Sequence, residues 1–149
     1  MKVVLQRVSQ ASVKVENEVL GRIEQGYVLL VGVGREDDLE DQDWLINKIF
    51  NLKLFPDESG QMSKSIVDVQ GNVLVISQFT LFASIKKGTK PGFSLAAEPN
   101  IANEKYEQFL AAVKTKMPQV QSGQFGADMK VSLINDGPVT LILDSKNKV

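Results

Sequence analysis

The sequence predicts an α+β domain with a mostly antiparallel β-sheet and two main helices. Apolar-rich segments of strand character fill the chain as far as Val33, and two later stretches carry apolar residues at helical spacing. Two further apolar runs, Val131 to Ile134 and Val139 to Leu143, close the chain. With 149 residues the chain is long enough to bury about two-thirds of the surface its unfolded form exposes, which suits one domain spanning 1–149. There is no internal repeat, linker or low-complexity segment, and the polar tail Ser145 to Val149 is expected to fray.

Val3 to Val8 is apolar apart from Gln6 and Arg7. Ala11 to Glu16 alternates, with Ala11, Val13 and Val15 on one face of a half-buried strand. Val19 to Glu24 pairs back across the polar turn Glu16-Asn17-Glu18, and Gly26 to Val33 is apolar on both faces, as an interior strand is. The acidic run Glu36 to Asp43 fits a solvated helix N-terminus, where carboxylates meet the positive end of the helix dipole, better than it fits a metal site. Leu45, Ile49 and Leu52, with Ile46 and Phe50, then form a helical stripe ending near Phe55-Pro56, and Pro56 to Gly60 is a loop. Asn72 to Leu81 is the clearest interior strand, becoming polar at Ser77-Gln78-Phe79-Thr80. A second stripe of Ala102, Tyr106, Phe109, Leu110, Val113 and Met117 follows, with Asn100 as N-cap candidate and Pro118 beyond the end. The closing apolar runs are joined through Asn135-Asp136-Gly137-Pro138, which reads as a turn.

Histidine and cysteine are both absent. That excludes a Ser-His-Asp triad, a cysteine nucleophile, an imidazole or thiolate metal site and any disulfide. No metal or other cofactor is called for by any residue spacing. Acid–base chemistry would fall to Asp, Glu, Lys, Tyr or a positioned water. The formal charge of −1 gives the whole molecule no footprint for DNA or RNA, so a nucleic acid would need a local basic patch. The apolar start Met1 to Leu5 is cut off by Gln6 and Arg7, too early for a signal peptide, and no run approaches the roughly 18 apolar residues of a membrane span. A cytoplasmic protein with no membrane partner is the expectation.

Each candidate for chemistry has an ordinary reading beside it. On a strand, Ser77 and Phe79 would share one face and Gln78 and Thr80 the other, so the two hydroxyls are no ready-made pair and neither has a visible base. Backbone N–H groups at this strand end can still serve a developing oxyanion. Lys86, Lys87 and Lys90 sit in a Gly/Pro loop that is either simply solvated or follows phosphates. Phe125 and Met129 flank Gly126 and either fill core or stack on a base. Arg7, inside an apolar strand, reads as a structural ion-pair partner or hydrogen-bond donor rather than a catalytic group.

Taken in order, Ser77-Gln78-Phe79-Thr80-Leu81, Lys87 to Ala97, Gly123 to Met129 and Asn135 to Thr140, together with the opening Met1 to Val8, closely resemble the D-aminoacyl-tRNA deacylase (D-tyrosyl-tRNA deacylase) family over essentially the whole chain. The resemblance implies hydrolysis of the ester between a D-amino acid, or mischarged glycine, and the 3′ end of a tRNA. It implies a homodimer with a barrel-like arrangement of sheets at the interface and two active sites there. Ser77, Gln78, Phe79 and Thr80 match the catalytic motif, and Phe125, Met129 and Ala96 fall in the segments that hold the substrate and its terminal adenosine. Gly137-Pro138 matches a Gly-cis-Pro element that enters the partner's site and excludes L-amino acids, with Arg7 supporting it. Lys86, Lys87 and Lys90 are the candidates for tRNA backbone contact.

In the family the terminal ribose 2′-OH helps to activate water, which accounts for a chain with no histidine or cysteine. Phe82 stands where Tyr is common, and Lys90 where Arg is common, which keeps the charge but loses the planar fork. Two other readings stay open beside the resemblance: a non-catalytic module binding the tRNA 3′ end, and an RNA-independent hydrolase of D-amino-acid esters.

Overall fold

A long first strand, β1 (Lys2–Val15), organises the sheet in the computed structural model, which describes residues Met1–Val149. One edge of β1 is shared, with β3 (Gly26–Gly32) antiparallel to its first half and β2 (Glu18–Ile23) antiparallel to its second. The other edge is taken by β8 (Lys130–Asp144), again antiparallel. Beyond β3 the sheet continues through β6 (Asn72–Ser77) to β7 (Gln121–Ser122), and both of these joins are parallel. The sheet is therefore mixed, where a mostly antiparallel one is expected from the sequence. Two helical crossovers are the reason: α1 (Leu39–Asn51) lies between β3 and β6, and α2 (Pro99–Lys116) between β6 and β7. A chain that crosses over through a helix returns in the same direction. The short hairpin of β4 (Phe55–Pro56) and β5 (Met62–Lys64) also lies in the first crossover.

The sheet curls until β2 nears β7, where a Cβ on Gly21 would lie only 3.2 Å from that of Gln121. Curling divides the apolar residues into two cores. Val8, Ala11, Val13, Ile23, Val28, Leu74 and Ile76 fill the inside of the curl. The larger core lies between the sheet and the helices, with Tyr27, Leu29, Val31, Val73 and Val75 against Leu45, Ile49, Tyr106 and Phe109. Alternate residues of β3 and β6 thus serve different cores, which is why both segments are apolar on both faces.

Both helices bury most of the stripes expected of them, although α1 stops at Asn51, with Leu52 as its half-buried C-cap, rather than near Phe55-Pro56, and Leu110 of α2 is half-buried. In α1, Asp38 is the N-cap and exchanges hydrogen bonds with Asp41 in a capping box, at 3.2 and 2.9 Å. The acidic run around it is not wholly solvated as expected. Asp37 is buried and accepts from the Met1 ammonium and from Gly34 N–H, while the buried Asp41 pairs with Lys146 at 2.8 Å. In α2 the N-cap is Glu98 rather than Asn100, because Pro99 takes the first helical position. Its fixed φ and missing N–H cost nothing there. Ala102, Tyr106, Phe109 and Val113 are buried beneath it.

The closing strands differ most from expectation. Asn135-Asp136-Gly137-Pro138 is not a hairpin turn between two strands, since β8 runs through it and pairs with β1 on both sides. Gln6 faces Thr140 and Val8 faces Asn135, so the four residues Asp136 to Val139 bulge out opposite the single residue Arg7. Asp-Gly is a hairpin signal only when the two runs pair with each other, and here both find the longer β1 instead. In the tail, Ser145 is buried against Met1, with Ser145 N–H donating to Met1 O at 3.0 Å, and residues 146–149 are exposed.

A Cβ at Gly26 would collide with the Asn72 carbonyl where β3 meets β6, so Gly26→Ala is expected to cost about 3 kcal/mol or more. Urea unfolding with an unchanged m-value checks this. Burial works to raise the Asp41 carboxyl pKa, but the bonds from Lys146, Ser145 and Asp38 N–H and the N-terminal charge outweigh it and hold it below the usual carboxylate range. A lowered folded value stabilises fully above the unfolded value near 3.8 and loses that stabilisation as pH falls below it. Asp41→Asn is therefore expected to show a smaller loss of stability between pH 5 and pH 3 than the parent chain, read from unfolding midpoints at the two pH values.

Candidate active site

The site forms where the ladder between β3 and β6 ends. Val31 opposite Ser77 is the last pair, and Gln78 N–H makes a final bond to Val31 O at 2.7 Å. With no neighbour left to pair with, the chain turns into a short 3-10 helix, Phe79–Phe82. The strand therefore stops at Ser77 rather than continuing to Leu81, and the alternation expected across Ser77 to Thr80 does not hold. Ser77 and Phe79 face a common space from a turn instead.

Phe79 is exposed, its ring edge-to-face with Phe93 at 4.9 Å between centroids. Clefts open on both sides of it. The larger, about 360 Å³, is mostly apolar and lined by Ser77, Phe79, Phe93, Ala96 and Phe125 among others. The second, about 240 Å³, has Ser77, Gln78, Phe79, Ala127 and Met129 in its walls. Phe125 leans on Tyr106 at 5.9 Å, and the Tyr106 hydroxyl donates to Val75 O at 3.2 Å, so α2 braces the larger cleft. Met129 lays its sulfur over Gly123, where a Cβ would come within 2.5 Å of it.

The cleft offers hydrogen bonds without offering a base. The Thr80 hydroxyl accepts from the Gln78 amide at 2.6 Å, a neutral donor that cannot take its proton. Neither hydroxyl, of Ser77 or Thr80, is bonded to a carboxylate or an amine. Burial, with Glu107 adding to it, holds the Tyr106 phenol protonated well above its usual range, so it is no acid–base group near neutrality. The first N–H groups of the 3-10 helix, Phe79 and Thr80, have no acceptor within that helix.

Arg7, Gly137 and Pro138 form a separate group. Arg7 is buried and donates from Nε to Asp136 O at 2.9 Å and from Nη1 to Leu54 O at 2.6 Å. Gly137 has φ of +140°, and the Gly137-Pro138 peptide is cis. Both residues are exposed and line neither cleft. Lys86, Lys87 and Lys90 surround an open depression on a third element, the loop closed by reciprocal bonds between Ser84 and Gly92 at 2.7 and 2.9 Å. Phe93 at the end of that loop links it to Phe79.

The sequence profile of D-Tyr-tRNA(Tyr) deacylase matches residues 4–144. The chain belongs to this family of deacylases. It is 54% identical to a D-aminoacyl-tRNA deacylase of Exiguobacterium sibiricum, covering 97% of this chain and 99% of that protein. A D-aminoacyl-tRNA deacylase of Thermosipho africanus is 49% identical over 98% of both chains. Among solved structures, the c-Myc DNA Unwinding Element Binding Protein superposes with a TM-score of 0.91 at 41% identity, covering 97% of this chain and 98% of that one. A probable eukaryotic D-amino acid tRNA deacylase shares the fold, with a TM-score of 0.85 at 16% identity over 95% of this chain and 97% of that one.

As a deacylase the chain is a hydrolase, and its motif residues fall into three places. The two clefts beside Phe79 gather Ser77, Gln78, Phe79, Ala96, Phe125 and Met129, with Thr80 bonded to Gln78; Gly137 and Pro138 lie on the bulge with Arg7 opposite them on β1, and the lysines lie on the loop. Phe82 packs on the backbone of β3's exit, where a Cβ on Gly34 would meet its ring at 2.7 Å. Sequence reasoning gave no role to two residues, Phe93 in the larger cleft wall and Asn135 at the bulge. Phe93 carries a signal, an aromatic in a polar Gly/Pro loop, whereas Asn135 reads as part of a turn and is found only through its bonds across the bulge. No helix is long and apolar enough to cross a membrane.

Proposed function

We propose that this deacylase hydrolyses the ester joining a D-amino acid to the 3′ end of a tRNA, releasing both, and acts likewise on glycine mischarged on tRNA-Ala. The observation that carries the mechanism is the neutral cleft at Ser77 to Thr80, which positions groups but holds no base. Water is then activated with help from the substrate's own ribose 2′-OH. Ser77, Gln78, Phe79 and Thr80 surround the ester, and the N–H groups of Phe79 and Thr80 stabilise the developing oxyanion. The aromatic cleft of Phe79, Phe93, Ala96 and Phe125 takes the terminal adenosine, whose flat base suits edge and face contacts, with Met129 on the other side of Phe79. An aminoacyl ester is already activated, so modest assistance is enough.

The working unit is a homodimer in which the Gly137-Pro138 bulge of each copy closes the cleft of the other. Two features support this. The bulge lines neither cleft beside Phe79 in its own chain, and the outer edge of β8 is unpaired along a long strand that exposes Ile134 and Ile142, 52% and 72% accessible. Long unpaired apolar edges are covered in native proteins, and pairing two curled sheets edge to edge gives a barrel-like interface. Chirality is read by exclusion: the bulge occupies the space an L side chain would need, while a D side chain, or glycine with none, points elsewhere. Lys86, Lys87 and Lys90 reach the phosphates upstream of the adenosine, since Phe93 ties their loop to the cleft.

Deacylation of D-tyrosyl-tRNA and L-tyrosyl-tRNA by purified, metal-free protein tests the reading. Rapid loss of the D-ester with the L-ester spared is expected; tRNA binding without cleavage of either would make the chain a binding module instead. Thr80→Val tests the chemistry, because loss of a nucleophile removes about 10⁴-fold or more in rate. Retention of D-ester cleavage within about tenfold is expected of a residue that only lines the site, measured in single-turnover assays.

A further inference from the structure

The bulge Asp136 to Val139 has few ladder bonds of its own, yet it has to be stiff if it excludes anything. Steric rejection is only as strong as the wall's resistance to being pushed aside, and a shift of about 1 Å is enough to loosen a site. Arg7 fastens one side, through Asp136 O. The other side is fastened by Asn135, a residue of the Asn135 to Thr140 motif that has been given no role. Asn135 reaches across the neck of the bulge, its Oδ1 accepting from Val139 N–H at 2.9 Å and its Nδ2 donating to Thr140 Oγ1 at 2.7 Å. Asn135 and Thr140 are also the residues whose backbones rejoin β1, opposite Val8 and Gln6. One side chain thus bonds to the last bulge residue and to the far side of the neck together.

We propose that Asn135 and Thr140 are positioning residues for stereochemical selection, forming a clamp that sets the height and stiffness of the Gly137-Pro138 wall. This rests on the reading of that wall as the L-excluding element. Gly137 and Pro138 make no side-chain bond of their own, so their place is decided at the two flanks, by Arg7 at Asp136 and by Asn135 at Val139. Loss of the clamp leaves Val139 N–H without its partner and frees the bulge to yield, and the effect falls on discrimination before it falls on hydrolysis.

The test is the ratio of D-tyrosyl-tRNA to L-tyrosyl-tRNA cleavage rates for Asn135→Ala, Thr140→Val, Thr140→Ser and Gly137→Ala. Asn135→Ala is expected to lower the ratio by about tenfold, the scale of one or two lost hydrogen bonds, chiefly because L-ester cleavage appears. Thr140→Val is expected to lower it less, and Thr140→Ser, which keeps the hydroxyl, to restore the parent ratio. A structural role alone would move the unfolding midpoint of the valine and serine variants without separating their ratios. If Asn135→Ala fails to fold, the valine and serine pair decides. A parent ratio in Asn135→Ala and Thr140→Val, with Gly137→Ala impaired, overturns the clamp and leaves the wall standing. A parent ratio in Gly137→Ala as well overturns the wall and the clamp together.

Discussion

The buried guanidinium of Arg7 is the constraint around which the rest of the molecule is arranged. It lies on β1 with the stacked rings of Tyr27 and Phe55 beside it, and no carboxylate pairs with it. Its charge is met by two backbone carbonyls, Leu54 O before the β4 hairpin and Asp136 O on the bulge of β8. Hydrogen bonds to a charged donor are worth about 1.5–3 kcal/mol each, and a buried cation left without them is strongly destabilising. The first crossover and the last strand are therefore both tied to one residue of the first strand. Their geometry is linked through it.

The second organising fact is the place where the parallel strands stop. β3 and β6 run side by side and end together near Gly32 and Ser77, and the cleft opens just beyond their carboxyl ends. That is where parallel sheets generally present ligands, because the connections diverge there. The segment that supplies Ala96 is fastened to the exit of β3, with Ala97 N–H donating to Val33 O at 3.0 Å and Arg35 N–H to Leu95 O at 3.2 Å. The aromatic walls then come from three different elements: the 3-10 helix, the lysine loop and the segment before β8. Phe79 and Phe93 pack on each other and Phe125 packs on Tyr106 of α2, which suits a cleft required to hold its shape.

Chemistry and geometry agree in this arrangement. A chain without histidine or cysteine has placed an amide, two hydroxyls and backbone donors around its cleft, and has left its phenols buried and protonated. Such a site orients, excludes water other than the reacting one, and stabilises charge where it develops. It holds no side chain placed to take a proton from either hydroxyl. The Gly137-Pro138 bulge lies on a different element and lines neither cleft of its own chain beside Phe79.

Much of this was legible in the residues. Interior strands were readable at Gly26 to Val33 and Val73 to Ile76 because both faces are apolar, and the helices because Leu45, Ile49, Tyr106 and Phe109 recur at 3.6-residue spacing. Those are local patterns, and burial on one face or two dictates them. The Ser77-Gln78-Phe79-Thr80 motif was visible as polar residues ending an apolar run, although its meaning came from resemblance rather than from spacing. What the tertiary structure alone decided is which segments pair. Asn135 to Pro138 carries the local signature of a hairpin turn, yet it became a bulge because a single long β1 competes for both flanking runs. The parallel joins and the carbonyl partners of Arg7 depend on residues far apart in the chain, and the bonds of Asn135 to Val139 and Thr140 exist only because distant β1 makes a bulge of the segment between them. Hydrogen bonding between distant backbones leaves no trace in composition or period, so only the folded chain could show it.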